Sequence, residues 1–74
     1  MKSKKGIQVS PEYKKLTSYL ATAIAEGFCE GEGASINEQI AAWQYLHDTG
    51  MAYSLQGFFG RNAVRLIEDG TIFK

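Results

Sequence analysis

The sequence predicts an all-α fold: one small single domain of three helices with a flexible basic arm at its N-terminus. Three observations point there. Apolar residues return at helical spacing in successive stretches, serines with helix-capping neighbours open two of them, and glycines close them.

Residues 1–9 show no periodicity and carry Lys2, Lys4 and Lys5, which reads as a mobile basic arm ahead of a helical domain at 10–74. Ser10-Pro11-Glu12 then starts a helix. The serine caps free N–H groups, proline at the first helical position loses no hydrogen bond, and the early glutamate suits the positive end of the dipole. Leu16, Tyr19, Leu20, Ala23 and Ile24 form an apolar stripe that carries this helix from about Pro11 to about Phe28. Gly27, Gly31 and Gly33, with acids among them, break the pattern into a loop.

Ser35-Ile36-Asn37-Glu38 is a capping box, and Ile36, Ile40, Trp43 and Leu46 form the apolar face of the helix it opens. Gly50 is its left-handed stop. A short apolar link, Met51 to Leu55, leads to Gly57-Phe58-Phe59-Gly60, read as a glycine-bracketed hinge. Ala63, Leu66 and Ile67 line the third helix, Gly70 ends it, and Thr71-Ile72-Phe73-Lys74 folds back. The expected core is Leu16, Leu20, Ile24, Ile40, Trp43, Leu46, Leu66 and Ile67.

At 74 residues, with 45% apolar side chains, burial barely offsets chain entropy, so the expectation is a modestly stable monomer or a weak homodimer. Eight basic and eight acidic side chains cancel, which argues against strong non-specific attraction to nucleic acid. Lys2, Lys4, Lys5, Lys14 and Lys15 crowd the start of the chain, and Glu26, Glu30 and Glu32 follow together, reading as a solvated tail and a solvated loop. The single cysteine, Cys29, leaves no intrachain disulfide and suits a reducing cytoplasm. No stretch approaches the run of roughly 18 apolar residues that spans a bilayer. Gln8, Ser10, Pro11 and Glu12 interrupt what would be the core of an export signal.

Candidate chemistry is sparse. Asp48-Thr49-Gly50 matches the aspartic-protease triplet, but that chemistry needs two carboxylates sharing a proton on strand loops, and here the triplet closes a helix. His47 and Cys29 are the only histidine and thiol, and nothing in their spacing pairs them as base and nucleophile. Glu30-Gly31-Glu32-Gly33 lacks the spacing and terminal glutamate of a calcium hand, and neither a zinc set nor a phosphate loop is present. The expectation is no enzyme, no cofactor and no metal.

Gly57 and Gly60, three apart and followed by Arg61 and Arg65, look like the clamp of KH domains, where a Gly-x-x-Gly loop grips the backbone of single-stranded nucleic acid. In that alternative Gly57, Gly60, Arg61 and Arg65 form the clamp and Lys4 and Lys5 assist. Phenylalanines fill the middle positions and the strands of a KH sheet are missing. Adjacent helical positions point about 100° apart, so of Phe58 and Phe59 one packs on Trp43 and the other lies near the surface. Tyr53, Gln56, Phe58, Phe59, Arg61 and Arg65 thus make a candidate partner-binding surface of hot-spot composition.

Ala42-Trp43-Gln44-Tyr45-Leu46, Asp48-Thr49-Gly50, Leu55-Gln56-Gly57, Gly60-Arg61, Ala63, Leu66-Ile67-Glu68 and the closing Gly70 resemble a segment of small bacteriophage-encoded proteins of unknown function. The resemblance covers roughly Ala41 to Gly70. It implies origin, a phage accessory protein made in the host bacterial cytoplasm. Small non-enzymatic proteins of that origin bind host machinery, so the expectation is a module that binds and modulates, in the direction of inhibition, a host machine such as RNA polymerase or a defence complex. The resemblance carries no site residues with it. A structural part of the virion is a third class, and the sequence has no coiled-coil heptads in its favour.

Overall fold

A computed structural model describes residues 3–27 and 33–74. Cys29 and the Glu30-Gly31-Glu32 run lie outside the described residues, as does the expected helix end at Phe28. The fold is all-α. Five helices, α1 (Lys4–Gln8), α2 (Pro11–Lys14), α3 (Ser18–Glu26), α4 (Ile36–Asp48) and α5 (Gly57–Glu68), occur among the described residues, with a 3-10 turn at Met51–Tyr53. No strand occurs among the described residues.

The basic segment is not a free arm from Ser3 onward. Ser3 Oγ accepts from the Gly6 N–H and starts α1, which carries Ile7 into the core at 2% exposure. One turn of helix is enough to separate Ile7 from the lysines beside it. Lys5 faces solvent, while Lys4 Nζ donates to the Lys74 carbonyl (2.9 Å) and sits 3.9 Å from Asp48 Oδ1.

The helix expected to run unbroken from Pro11 is two. Ser10 and Pro11 start α2 as their residue types dictate, with Ser10 Oγ accepting from the Tyr13 N–H. The chain then extends at Thr17, whose hydroxyl oxygen accepts from the Leu20 N–H and caps α3. A threonine that offers the backbone a local bond competes with helix continuation, and here the competition is won. The break turns Leu16 inward and leaves Tyr19, expected on the buried stripe, exposed.

The central element is α4, which packs against α1, α2, α3, α5 and the 3-10 turn. Its capping box forms as the sequence requires: Ser35 Oγ accepts from the Glu38 N–H and Glu38 Oε1 from the Ser35 N–H. Lys15 first, then the Ser35 N–H, hold the Glu38 carboxyl down at about 2. Ile36 is 75% exposed rather than packed, because burial begins a turn later and wraps most of the helix at Ala41, Ala42, Trp43, Gln44 and Leu46.

Gln44 is 0% exposed and holds the C-terminal tail. Its Oε1 accepts from the Phe73 N–H (2.8 Å), and its Nε2 donates to the Phe73 carbonyl (2.7 Å) and to Asp48 Oδ1 (2.9 Å). Asp48 Oδ2 accepts from Gln8 Nε2 (2.7 Å) and the Tyr13 hydroxyl (2.8 Å). Two side chains one turn apart on α4 therefore tie α1, α2 and the tail together. The tail reaches them because Gly70 takes a left-handed conformation (φ 84°), letting Thr71 N–H return to the Leu66 carbonyl and Gly70 N–H to that of Ile67, while Ile72 enters the core.

Gly57 and Gly60 are not a hinge; they lie in the first turns of α5. Helical winding there places Phe59 against Trp43 (ring centroids 5.9 Å), a buried aromatic contact that outweighs the weak helix propensity of glycine. Leu20, Ile40, Leu66 and Ile67 pack at the margin of the core rather than its centre, which Ile7, Leu16, Ile24, Leu46, Phe59 and Ile72 fill.

Replacing Gln44 by leucine leaves the Phe73 N–H and carbonyl without partners, at a cost of about 2–3 kcal/mol. For a domain of this size that lowers Tm by roughly 10–20 °C, to be read by thermal circular dichroism. An unchanged Tm would contradict the clasp.

Candidate functional site

The outer face of α5 is built by the same rotation that buries Phe59. With Phe59 at 2% exposure, Phe58 is turned outward at 42%, its ring leaning on that of Phe59 at 4.2 Å between centroids. Positions three, four and seven residues on share its side of a helix, so Arg61, Asn62 and Arg65 line up with it. These four side chains surround an open depression of about 370 Å³. Arg65 Nη2 donates to Asn62 Oδ1 (2.9 Å), which holds that guanidinium along the helix. Arg61 folds back over Gly57, where a β-carbon would lie 2.9 Å from its Nη1. Neither arginine forms an ion pair within 4.0 Å among the described residues, and the Asp69 carboxyl is held below the usual range by its hydrogen bonds with Thr71 first and by the Arg65 charge last.

Of the residues the sequence offers for partner binding, the structure brings together Phe58, Arg61 and Arg65 and adds Asn62. Phe59 is removed from the surface. Gln56 is the exposed residue just before α5 and Tyr53 is half-exposed on the 3-10 turn, its hydroxyl 2.6 Å from His47 Nδ1. The short polar side chain of Asn62 carries no signal alone; its spacing from Phe58 and Arg65 is the signal that finds it.

The clamp geometry expected for Gly57 and Gly60 is absent, since both are helical rather than in a loop between helices. Gly60 is not required by a close approach either: a β-carbon there would sit 3.5 Å from the Ala52 carbonyl oxygen and Tyr53 Cδ1, ordinary contact distances. Of the lysines assigned to assist, Lys4 is engaged by Lys74 and Asp48, and Lys5 stays in solvent on α1.

Asp48-Thr49-Gly50 ends α4. Thr49 Oγ1 donates to the Tyr45 carbonyl (2.9 Å) and Gly50 is left-handed (φ 79°). Burial pushes the Asp48 carboxyl up, but hydrogen bonds from Gln8, Gln44 and Tyr13, with the Lys4 charge, outweigh it and hold the group below the usual carboxylate range. Burial first, then the bond to Asp48, pushes the Tyr13 hydroxyl up to about 12. Among the described residues no group of three or more His, Cys, Asp or Glu side chains could hold a metal ion. No described helix is long and apolar enough to cross a membrane.

Comparison of the chain with protein-family models, with curated proteins and with solved structures finds no match.

Two outcomes test these assignments. Gly60→Ala should raise stability by about 0.5–1 kcal/mol, because alanine fits the site and is the better helix former; a loss in urea denaturation would show that the glycine is needed. The Asp48 carboxylate is favoured by the fold, so its contribution is complete above the ordinary carboxyl pKa of about 3.9 and is lost as pH falls through its lower folded value. Tyr13 behaves oppositely: its contribution is complete below pH 10.0 and fades as pH rises toward about 12. The stability gap between wild type and Asp48→Asn should therefore narrow on acidification, and that for Tyr13→Phe should narrow on alkalinisation. Gaps independent of pH would contradict the network.

Proposed function

We propose that the chain is a non-enzymatic binding module of bacteriophage origin that docks on a macromolecular machine of the host bacterium through the outer face of α5 and inhibits it. RNA polymerase and a defence complex are the kinds of machine this reading has in view, and the host cytoplasm is where it acts. The observation that carries it is the grouping of Phe58, Arg61, Asn62 and Arg65 around one open depression. Aromatic and arginine side chains are enriched where interfaces concentrate their binding energy. A half-exposed phenyl ring that already leans on a buried one loses little freedom when a partner covers it. The resemblance to small phage proteins runs from about Ala41 within α4, through the 3-10 turn and α5, to Gly70, and so includes the part of the fold that builds this face.

Phe58→Ala and Arg61→Glu are the informative variants, since both positions are exposed and their loss leaves the core intact. Affinity capture from bacterial lysate should retain one protein complex with wild type after nuclease treatment. It should lose that complex with either variant, and the captured machine should be slowed by wild type alone. Capture abolished by nuclease would favour single-stranded nucleic acid instead, and equal capture by all three proteins would exclude the α5 face.

A further inference from the structure

We propose that the α5 groove takes an acidic peptide segment of a protein partner, with an apolar side chain in the depression against Phe58 and carboxylates on Arg61 and Arg65. The inference rests on the preceding assignment of the α5 face and names the chemistry of its partner. Arg61 and Arg65 stand one turn apart, about 6 Å along the axis. Two acidic side chains four apart on a helix, or two apart on an extended segment, present carboxylates at about that spacing. Arginine takes such groups through paired N–H donors, and Asn62 already fixes one of the two guanidinium groups in place. The depression, about 370 Å³ and open to solvent, has room for an apolar side chain beside Phe58 together with the polar groups that flank it.

Single-stranded nucleic acid shares the liking for arginine and an aromatic ring, but the surroundings disfavour it. A phosphate backbone following the stripe past Arg65 would run onto Glu68 and Asp69, both exposed at the end of the same helix. The chain as a whole offers no excess of positive charge to hold a long polyanion with one charge per residue, whereas two arginines suffice for two carboxylates. Lys4 and Lys15 are already engaged, by Lys74 and Asp48 and by Glu38. A short segment with a few carboxylates meets the two arginines and stops before the acidic end.

The test uses the full chain and three fluorescent probes: a short peptide in which glutamates flank a single tryptophan, the same peptide with lysines for glutamates, and oligo-dT. Wild type should bind the acidic peptide best, with affinity falling as salt rises. The double variant Arg61→Glu/Arg65→Glu should lose at least about tenfold toward it and gain affinity for the lysine peptide. That reversal of preference is something a merely structural role for the arginines would not produce. Phe58→Ala should weaken the acidic peptide without changing its salt dependence. Circular dichroism establishes that each variant is folded. Preference of wild type for oligo-dT, unchanged peptide affinity in the double variant, or no binding of the acidic peptide would overturn the proposal. If lysate capture depends on Phe58 while the acidic peptide fails to bind, the chemistry assigned to the groove is wrong and the docking role stands. If the peptide binds and no machine is captured, the reverse holds.

Discussion

The structure depends on a pair of polar side chains on α4. Gln44 and Asp48, one turn apart, between them hold the C-terminal tail, Gln8 of α1 and Tyr13 of α2. An unpaired buried amide is expensive, so a fully buried glutamine is tolerable only when each of its polar atoms has a partner. Here they do: no buried side-chain nitrogen or oxygen among the described residues lacks one. The network costs little in this form and gives register. A small apolar core can be packed in several ways, whereas the Phe73 amide and carbonyl fit Gln44 in one.

That arrangement assigns each helix a task. Wrapped on several sides, α4 lends its middle to the core and its last turn to the clasp. With α1 and the C-terminal tail gathered on α4, α5 rests on α4 and the 3-10 turn and keeps its opposite face outward. Phe58 and Phe59 divide between the two sides. The inner ring anchors the helix on Trp43, and the outer ring, supported by the inner one, stands beside two arginines. The contact that fixes the helix thus also presents the candidate docking surface.

Much of this was legible in the sequence where a local rule decides the outcome. Ser10-Pro11, the Ser35–Glu38 box, Gly50 and Gly70 mark helix ends that the structure places there. That one phenylalanine packs on Trp43 while its neighbour lies near the surface was expected from the sequence, although which one was not. What escaped depends on tertiary partners. Ile7 follows a run of lysines without any periodic apolar neighbour and becomes core because α4 lies beneath it, while Val9 stays exposed. Gln44 lies outside the apolar face formed by Ile36, Ile40, Trp43 and Leu46, and becomes the buried clasp because α4 is covered on more than one side. Gly57 and Gly60 carry a loop signal that the packing of Phe59 overrides. The Thr17 break illustrates the opposite case, a local cap defeating a longer apolar stripe.

Amide hydrogen exchange followed by NMR on the free protein tests the central claim most directly. If Gln44 and Asp48 join α1 and the C-terminal tail to α4, the Phe73 and Ile7 amides open only with the whole domain, so they exchange as slowly as the amide of Leu46. Exchange of Phe73 and Ile7 at near-unprotected rates, with Leu46 still protected, would mean that α1 and the tail come free of a stable core and would contradict the account.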